Sequence, residues 1–465
     1  MGLAGCSRQP PPNVILISID TLRADHLGVA GYSRDTSPRL DELGSRSTIF
    51  SQAFTPAPRT FTSHAMMLTG IHPHRMGVTR GGHSRSIPRE VPWLPEILQQ
   101  VGYQTVGFVD SAPSGWLSGK RRFDRGFDEY FLAPHAKDLW YAWDMAATAD
   151  RASAWLDNRD PDRPFFMFMH TKSVHAVRSD LPRPDARIFP YDKPEPYRSR
   201  FLLEDSADFT WSDPEIGAGS LYLAGLNQAY YEGTKDPSDF PQEYLEILEA
   251  LYDAGIYYTD EHLGRFLDHL EATDLLDNTI VVVTSDHGEA FLEHGFFKHS
   301  ATVYKEMLHV PLIVHRPGSR GNPVRSEPVS IGDIPPTILD LLGLPVPPEI
   351  GGWPLFNDAF ASYQERALFA ITQDGLTPAR GLSIRRGDWK LVYDSVRAGE
   401  GFQVSLFNVV KDPNELQPIA GETERAAALL QELLAWREGE EIAVGEEIEV
   451  DDETLEHLRA VGYIN

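Results

Sequence analysis

Asp20, Asp286 and the adjacent His287 are the residues from which this chain's chemistry can be read. Each aspartate closes an apolar run, and the two lie 266 residues apart. The first run is Val14-Ile15-Leu16-Ile17-Ser18-Ile19 and the second is Ile280-Val281-Val282-Val283-Thr284-Ser285. Continuous apolar runs rich in β-branched residues read as buried strands of a parallel sheet. Ligands of such sheets sit beyond the carboxyl ends of the strands. Asp20, Asp286 and His287 can therefore converge there, and two carboxylates beside an imidazole make a metal site.

The elements that must position them alternate as in α/β folds. Pro92 to Leu98 opens a helix that ends at Gly102, and Tyr103 to Val109 is the next strand. Pro164 to Met169 is another strand, ending at His170, and Val310 to Val314 a later one. Residues 244–276 carry helical periodicity through Leu245, Leu248, Leu251, Ile256, Leu263, Phe266 and Leu270. Between 176 and 243 the pattern breaks into a stretch rich in Pro, Asp and Tyr, which reads as a lid or specificity insert without structure of its own. Pro345-Val346-Pro347-Pro348 and Gly351-Gly352 mark a linker-like turn. Short alternating runs then precede a helix over roughly 422–437, as in a small antiparallel sheet with one covering helix. The expected division is a tether over 1–12, a catalytic domain over 13–344 and a smaller α+β domain over 345–465. The fold class is α/β, with a mostly parallel central sheet flanked by helices.

Of the 465 residues, 42 are Lys or Arg and 68 are Asp or Glu, a formal charge of −26. That balance argues against nucleic acid or an anionic membrane surface as the main partner. Ten of the acidic residues crowd into 438–456, where a solvated tail is the simpler reading. The single cysteine, Cys6, excludes an intrachain disulfide. Leu3-Ala4-Gly5-Cys6 looks like a bacterial lipobox, so a lipid anchor at Cys6 and a place in the cell envelope, periplasmic or lipid-anchored, are expected, although the charged and apolar segments of a signal peptide do not precede it. No run of 18 apolar residues is present to span a membrane.

The segment Thr60-Phe61-Thr62-Ser63-His64-Ala65-Met66-Met67-Leu68-Thr69-Gly70 completes a pattern. With Ile19-Asp20-Thr21-Leu22-Arg23-Ala24-Asp25, Thr284-Ser285-Asp286-His287-Gly288-Glu289, Glu293-His294-Gly295 and Gly387-Asp388-Trp389-Lys390, the chain resembles the sulfatase branch of the alkaline phosphatase superfamily over nearly its whole length. Sulfatases carry a Cys or Ser, oxidised to formylglycine, ten residues before the Gly of a Leu-Thr-Gly. That count back from Gly70 gives Thr60, which cannot be so oxidised. The rival, Thr55 in Thr55-Pro56-Ala57-Pro58-Arg59, lies fifteen residues before Gly70 and lacks the middle proline. The resemblance thus implies Thr60 as an unmodified nucleophile, as in phosphodiesterase branches; the alternative is a helix N-cap.

The same resemblance implies one divalent metal on Asp20, Thr60, Asp286 and His287. An imidazole ligand favours Mn²⁺ or Zn²⁺, with Ca²⁺ or Mg²⁺ as alternatives. His175 matches a histidine that contacts the transferred group. His299 matches a lysine or histidine that binds that group or aids the leaving oxygen, with Lys298 as its neighbour. His64 stands where the motif has arginine, and His170 reads as structural. Three departures point away from sulfate. Thr21 replaces a second aspartate, His287 stands where asparagine is common, and a Lys and a His are missing around Asp110. The expected activity is metal-dependent hydrolysis of a small-molecule, glycan or lipid ester, with phosphodiesters or phosphonate monoesters ahead of sulfates. The alternatives are a sulfatase, a phosphoryl transferase and an inactive binding protein on the same scaffold.

Overall fold

The computed structural model describes residues 10–79, 85–111, 113, 115–133, 144–176, 190–191, 193–202, 212–213, 217–321, 323–357, 363–372, 380–395, 401–439, 442–444 and 446–447. Cys6 and its tether, much of the 176–243 insert and most of the acidic 438–456 run lie outside the described residues.

Eight strands form the central sheet: β1 (Asn13–Ile19), β2 (Thr48–Phe50), β3 (Gln104–Val109), β4 (Glu129–Leu132), β5 (Phe165–Thr171), β6 (Thr279–Thr284), β7 (Leu312–His315) and β8 (Val324–Arg325). Their order across the sheet is β8-β2-β7-β6-β1-β5-β3-β4. β1 runs parallel to both its neighbours, β5 and β6, and only β7 runs antiparallel to the strands beside it. The uninterrupted apolar runs follow from burial on both faces. Ile15, Ile17, Val281, Val283, Phe165 and Met167 join one core, while Val14, Leu16, Ile280, Val282, Phe166 and Phe168 join the other. The 31-residue helix Gln242–Ala272 covers the first face through Leu248, Leu251, Phe266 and Leu270. The helix Thr60–Thr69 covers the second through Ala65, Met67 and Leu68.

A separate antiparallel sheet of β9 (Ala367–Ile371), β10 (Arg380–Arg386), β11 (Trp389–Ser395) and β12 (Gln403–Asn408) packs against the helix Thr423–Arg437 through Leu391, Leu406, Leu429 and Leu433. It is tied to the rest of the molecule at Glu415. Both carboxylate oxygens of Glu415 bind Lys390 Nζ, at 2.8 and 2.6 Å, and its carbonyl meets His294 Nε2 at 2.9 Å.

Three local expectations need correction. Val310 to Val314 is not one strand. Pro311 has no N–H to give and splits it, leaving His309–Val310 in a small side sheet and Leu312–His315 in the main one. The strand expected to end at His170 runs on to Thr171, which leaves His170 within β5. The 176–243 insert is not without structure, since it contains the helix Ser220–Glu232, whose Leu223, Leu226 and Tyr230 are buried. Its many aromatic and small residues mask the apolar period.

Candidate active site

The register of the three central strands sets the site. Ser18 of β1 is level with His170 of β5 and with Thr284 of β6. Asp20 and Asp286 each follow two residues later, so both carboxylates emerge at the same end of adjacent parallel strands. Thr21 takes a left-handed turn, φ 62°, which is unusual for a β-branched residue. That turn aims its N–H at Asp286 Oδ1, 3.3 Å away. Asp286 Oδ1 also accepts from His287 N at 2.9 Å, while its Oδ2 stays open.

Both oxygens of Asp20, Oδ2 of Asp286, Nε2 of His287 and Oγ1 of Thr60 are buried and have no hydrogen-bond partner among the described residues. Leaving so many polar atoms unpaired would cost about 1–3 kcal/mol each, more for charged groups. His287 donates from Nδ1 to the Gly288 carbonyl at 3.0 Å, which leaves the Nε2 lone pair facing the carboxylates. It stands 3.7 Å from Asp20 Oδ1 and 3.5 Å from Asp286 Oδ2. Two ligands about 2.1 Å from one cation, at a tetrahedral angle, lie about 3.4 Å apart. The Asp20, Asp286 and His287 donors, all within 4.8 Å of one another, therefore fit a divalent cation in chemistry and in spacing. Burial and the charge of Asp20 push the Asp286 carboxyl well above the usual range. Burial pushes Asp20 the same way, but the imidazoles of His170, His175 and His287 prevail and hold it well below.

Thr60 is the first residue of its helix, and Arg59 occupies the N-cap position without a side-chain cap bond. The N-cap alternative for Thr60 therefore fails. Its hydroxyl is open, whereas that of Thr55 bonds Ser63 Oγ at 2.8 Å. His64, one turn on, clamps the nucleophile candidate. Its Nδ1 donates to the Thr60 carbonyl at 2.7 Å, and its Nε2 accepts from Ser18 Oγ at 2.9 Å. The same Nδ1 lies 3.6 Å from Asp286 Oδ2. With both nitrogens engaged and burial holding its pKa well down, His64 fixes the helix start to β1 as a neutral imidazole.

On the opposite side, His299 and His175 approach each other at a ring separation of 5.0 Å, and His299 lies 4.4 Å from the His287 ring. His175 donates from Nδ1 to the Ala176 carbonyl at 2.7 Å, and burial brings its pKa down to about 4. His299 is held at Nδ1 by Glu289 Oε1, 2.9 Å away. Burial pushes Glu289 up to about 8 against the pull of Lys298. Lys298 and Ser300, either side of His299, both adopt left-handed backbone, φ 62° and 82°. Lys298 Nζ meets Ser220 Oγ at 3.0 Å, and burial pulls its pKa down. Sequence reasoning placed these residues but missed the Glu289 partnership. It also gave His170 a structural role, yet neither nitrogen of that buried ring has a partner among the described residues. Asp110 accepts from Lys172 N at 2.8 Å and ties down the loop after β5.

Comparison with known proteins agrees with this geometry. The model of the Sulfatase family matches residues 12–344. Mouse arylsulfatase K is 26% identical over 435 residues, covering 88% of this chain and 76% of that protein. An N-acetylglucosamine-6-O-sulfatase of Bacteroides thetaiotaomicron is 26% identical over 504 residues, covering 92% and 86%. Among solved structures, the phosphonate monoester hydrolase of Agrobacterium radiobacter superposes with a TM-score of 0.68 at 22% identity, covering 92% of this chain and 95% of that one. BT4656, solved with D-glucosamine-2-N,6-O-disulfate, superposes with a TM-score of 0.66 at 22% identity, covering 92% and 97%. These superpositions establish a shared fold. The family match, which spans most of the chain, establishes descent: the protein belongs to the sulfatase family and is an ester hydrolase of the sulfatase and alkaline phosphatase superfamily.

Proposed function

We propose that the protein hydrolyses a phosphodiester or phosphonate monoester, with Thr60 as an unmodified nucleophile. The observation that carries this reading is the Thr60 hydroxyl, buried without a partner among the described residues at the first turn of a helix. Backbone N–H groups at such a helix start favour an anionic group. Asp20, Thr60, Asp286 and His287 would hold one divalent cation, Mn²⁺ or Zn²⁺ by ligand type. When bound, that ion lowers the pKa of the Thr60 hydroxyl and offsets charge on the transferred group.

The chain's own residues supply the rest. Thr60 Oγ, its proton already lost to solvent, attacks phosphorus as the alkoxide and the bond to the leaving alcohol breaks, giving a phospho-threonine. The alcohol leaves with a proton drawn from the Glu289–His299 pair through Nε2, and His175 steadies the transferred group. Water then attacks the same phosphorus, its proton returns to the pair, and Thr60 is freed. His64 keeps the Thr60 backbone in place throughout.

The reading extends to the chain's organisation. Residues 13–344 carry the chemistry, 345–465 form the smaller domain, and the 176–243 insert sets specificity. The insert reaches the site in two places. Ser220 meets Lys298, and Asn227 exchanges hydrogen bonds of 2.7 Å with both backbone groups of Phe297. A lipid anchor at Cys6 would put the enzyme in the bacterial cell envelope. The described residues contain no helix long and apolar enough to cross a membrane.

A second reading, sulfate ester hydrolysis, is favoured by the names of the curated relatives, which are sulfatases of arylsulfatase K and N-acetylglucosamine-6-O-sulfatase type. A threonine ester of sulfate offers no second hydroxyl to expel the group, which ranks this reading lower. Matched aryl sulfate and aryl phosphodiester substrates decide between them by kcat/KM. A preference for sulfate of about tenfold, about 1.4 kcal/mol in transition-state binding, reverses the ranking.

A further inference from the structure

We infer that His170 is an additional ligand of the metal, so that the cation is held by two imidazoles rather than one. The inference rests on the proposed metal centre at Asp20 and Asp286. His170 is the sixth of the seven residues of β5 and is fully buried. Along that strand, Phe166 and Phe168 face the core beneath the helix Thr60–Thr69, while Phe165, Met167 and Met169 face the other core. Alternation puts His170 on the Phe166 and Phe168 face, where a further apolar side chain would pack without cost. An imidazole stands there instead, with neither nitrogen hydrogen-bonded among the described residues. Burying it so is unfavourable unless something absent from the chain itself pairs with it.

The surroundings identify that partner. His170 Nε2 lies 3.4 Å from Asp20 Oδ2, too long for a good hydrogen bond and close to the separation of two donors on one cation. His287 Nε2 takes up a similar separation, 3.7 Å, from the other Asp20 oxygen. His64, which stands edge-on to His170 at 5.0 Å, cannot fill the role, because Ser18 and the Thr60 carbonyl occupy its nitrogens. Asp20 is thus flanked by two imidazoles, His170 towards Oδ2 and His287 towards Oδ1, and neither Nε2 has a hydrogen-bond partner among the described residues.

Pulsed EPR of the full chain loaded with one equivalent of Mn²⁺ tests this without any substitution, by counting the imidazole nitrogens coupled to the metal. Two are expected, at a stoichiometry of one ion per chain. Calorimetric titration of His170→Ala and His170→Asn with Mn²⁺ is expected to show at least about tenfold weaker binding, with one nitrogen coupling lost. A single coupled imidazole in the wild type overturns the inference while leaving the centre itself intact. So does binding of both variants within twofold of wild type, or two ions per chain. If the wild type takes up no Mn²⁺, the centre on which the inference rests fails with it.

Discussion

Glu289 and His299 face each other across a reversal of the chain, with Oε1 of the glutamate 2.9 Å from Nδ1 of the imidazole. The reversal is a two-stranded hairpin in which Ala290 pairs with Lys298 and Phe291 with Phe297. That register sets 289 opposite 299, so the hairpin serves to orient one ring. Replacing Glu289 by Gln preserves the shape and removes the acid. The expected outcome is a fall in kcat of about 10²-fold or more with KM little changed, the usual range for a proton-transfer group. Steady-state kinetics at neutral pH check it, and an unchanged kcat would mean the pair is only structural.

Thr60→Ala is expected to fold and to lose the chemical step by about 10³-fold or more. Thr60→Ser keeps a hydroxyl at the same helix position and is expected to retain part of the activity. Intact-protein mass spectrometry after rapid quenching should show a substrate-derived adduct on the wild type and none on Thr60→Ala. A modified Thr60 in the resting protein would contradict the assignment.

Asp286→Ala removes a carboxylate that faces both His287 and His64. Metal analysis after gel filtration should find the ion retained by the wild type and lost from the variant, with turnover lost as well. Retention of metal with full turnover would remove Asp286 from the centre.

His294 yields a prediction about stability. Its Nδ1 faces Glu306 at 3.0 Å and its Nε2 faces the Glu415 carbonyl at 2.9 Å, so only the doubly protonated ring satisfies both. Burial opposes the charge, but these two acceptors outweigh it and raise the pKa above that of a free histidine. The unfolded chain gives its proton up earlier as pH rises. The stabilisation is therefore complete below the unfolded value, about 6.5, and is lost as pH climbs through the raised folded value. Thermal melts should show Tm falling on that ascent, and His294→Gln should flatten the slope. His294→Ala should destabilise by about 1–3 kcal/mol at pH 6, because it strands a buried carboxylate and carbonyl.

The parts of this molecule that could be read from its sequence are those whose pattern has a single physical cause. Burial on both faces made β1, β5 and β6 continuous apolar runs, and the aspartates that end β1 and β6 announced the site. His170 could not be assigned in this way, because it sits on a strand where an apolar residue was expected and only its nitrogens, without hydrogen-bond partners among the described residues, distinguish it. The Glu289–His299 pair depends on strands of two residues each, too short to leave a period. The helix Ser220–Glu232 was hidden by tyrosines and alanines that blur its apolar face.

The left-handed backbone at Lys298 and Ser300 sets two selection pressures against each other. Neither residue has the freedom of glycine at such angles, and each position costs of order 1–3 kcal/mol. Glycine at either position would relieve that cost and also loosen the ring held between them. Ser300→Gly is thus a change that heat would reward and turnover would punish. A library screened only for thermal tolerance would drift towards it, accumulating sturdier proteins that had quietly stopped working.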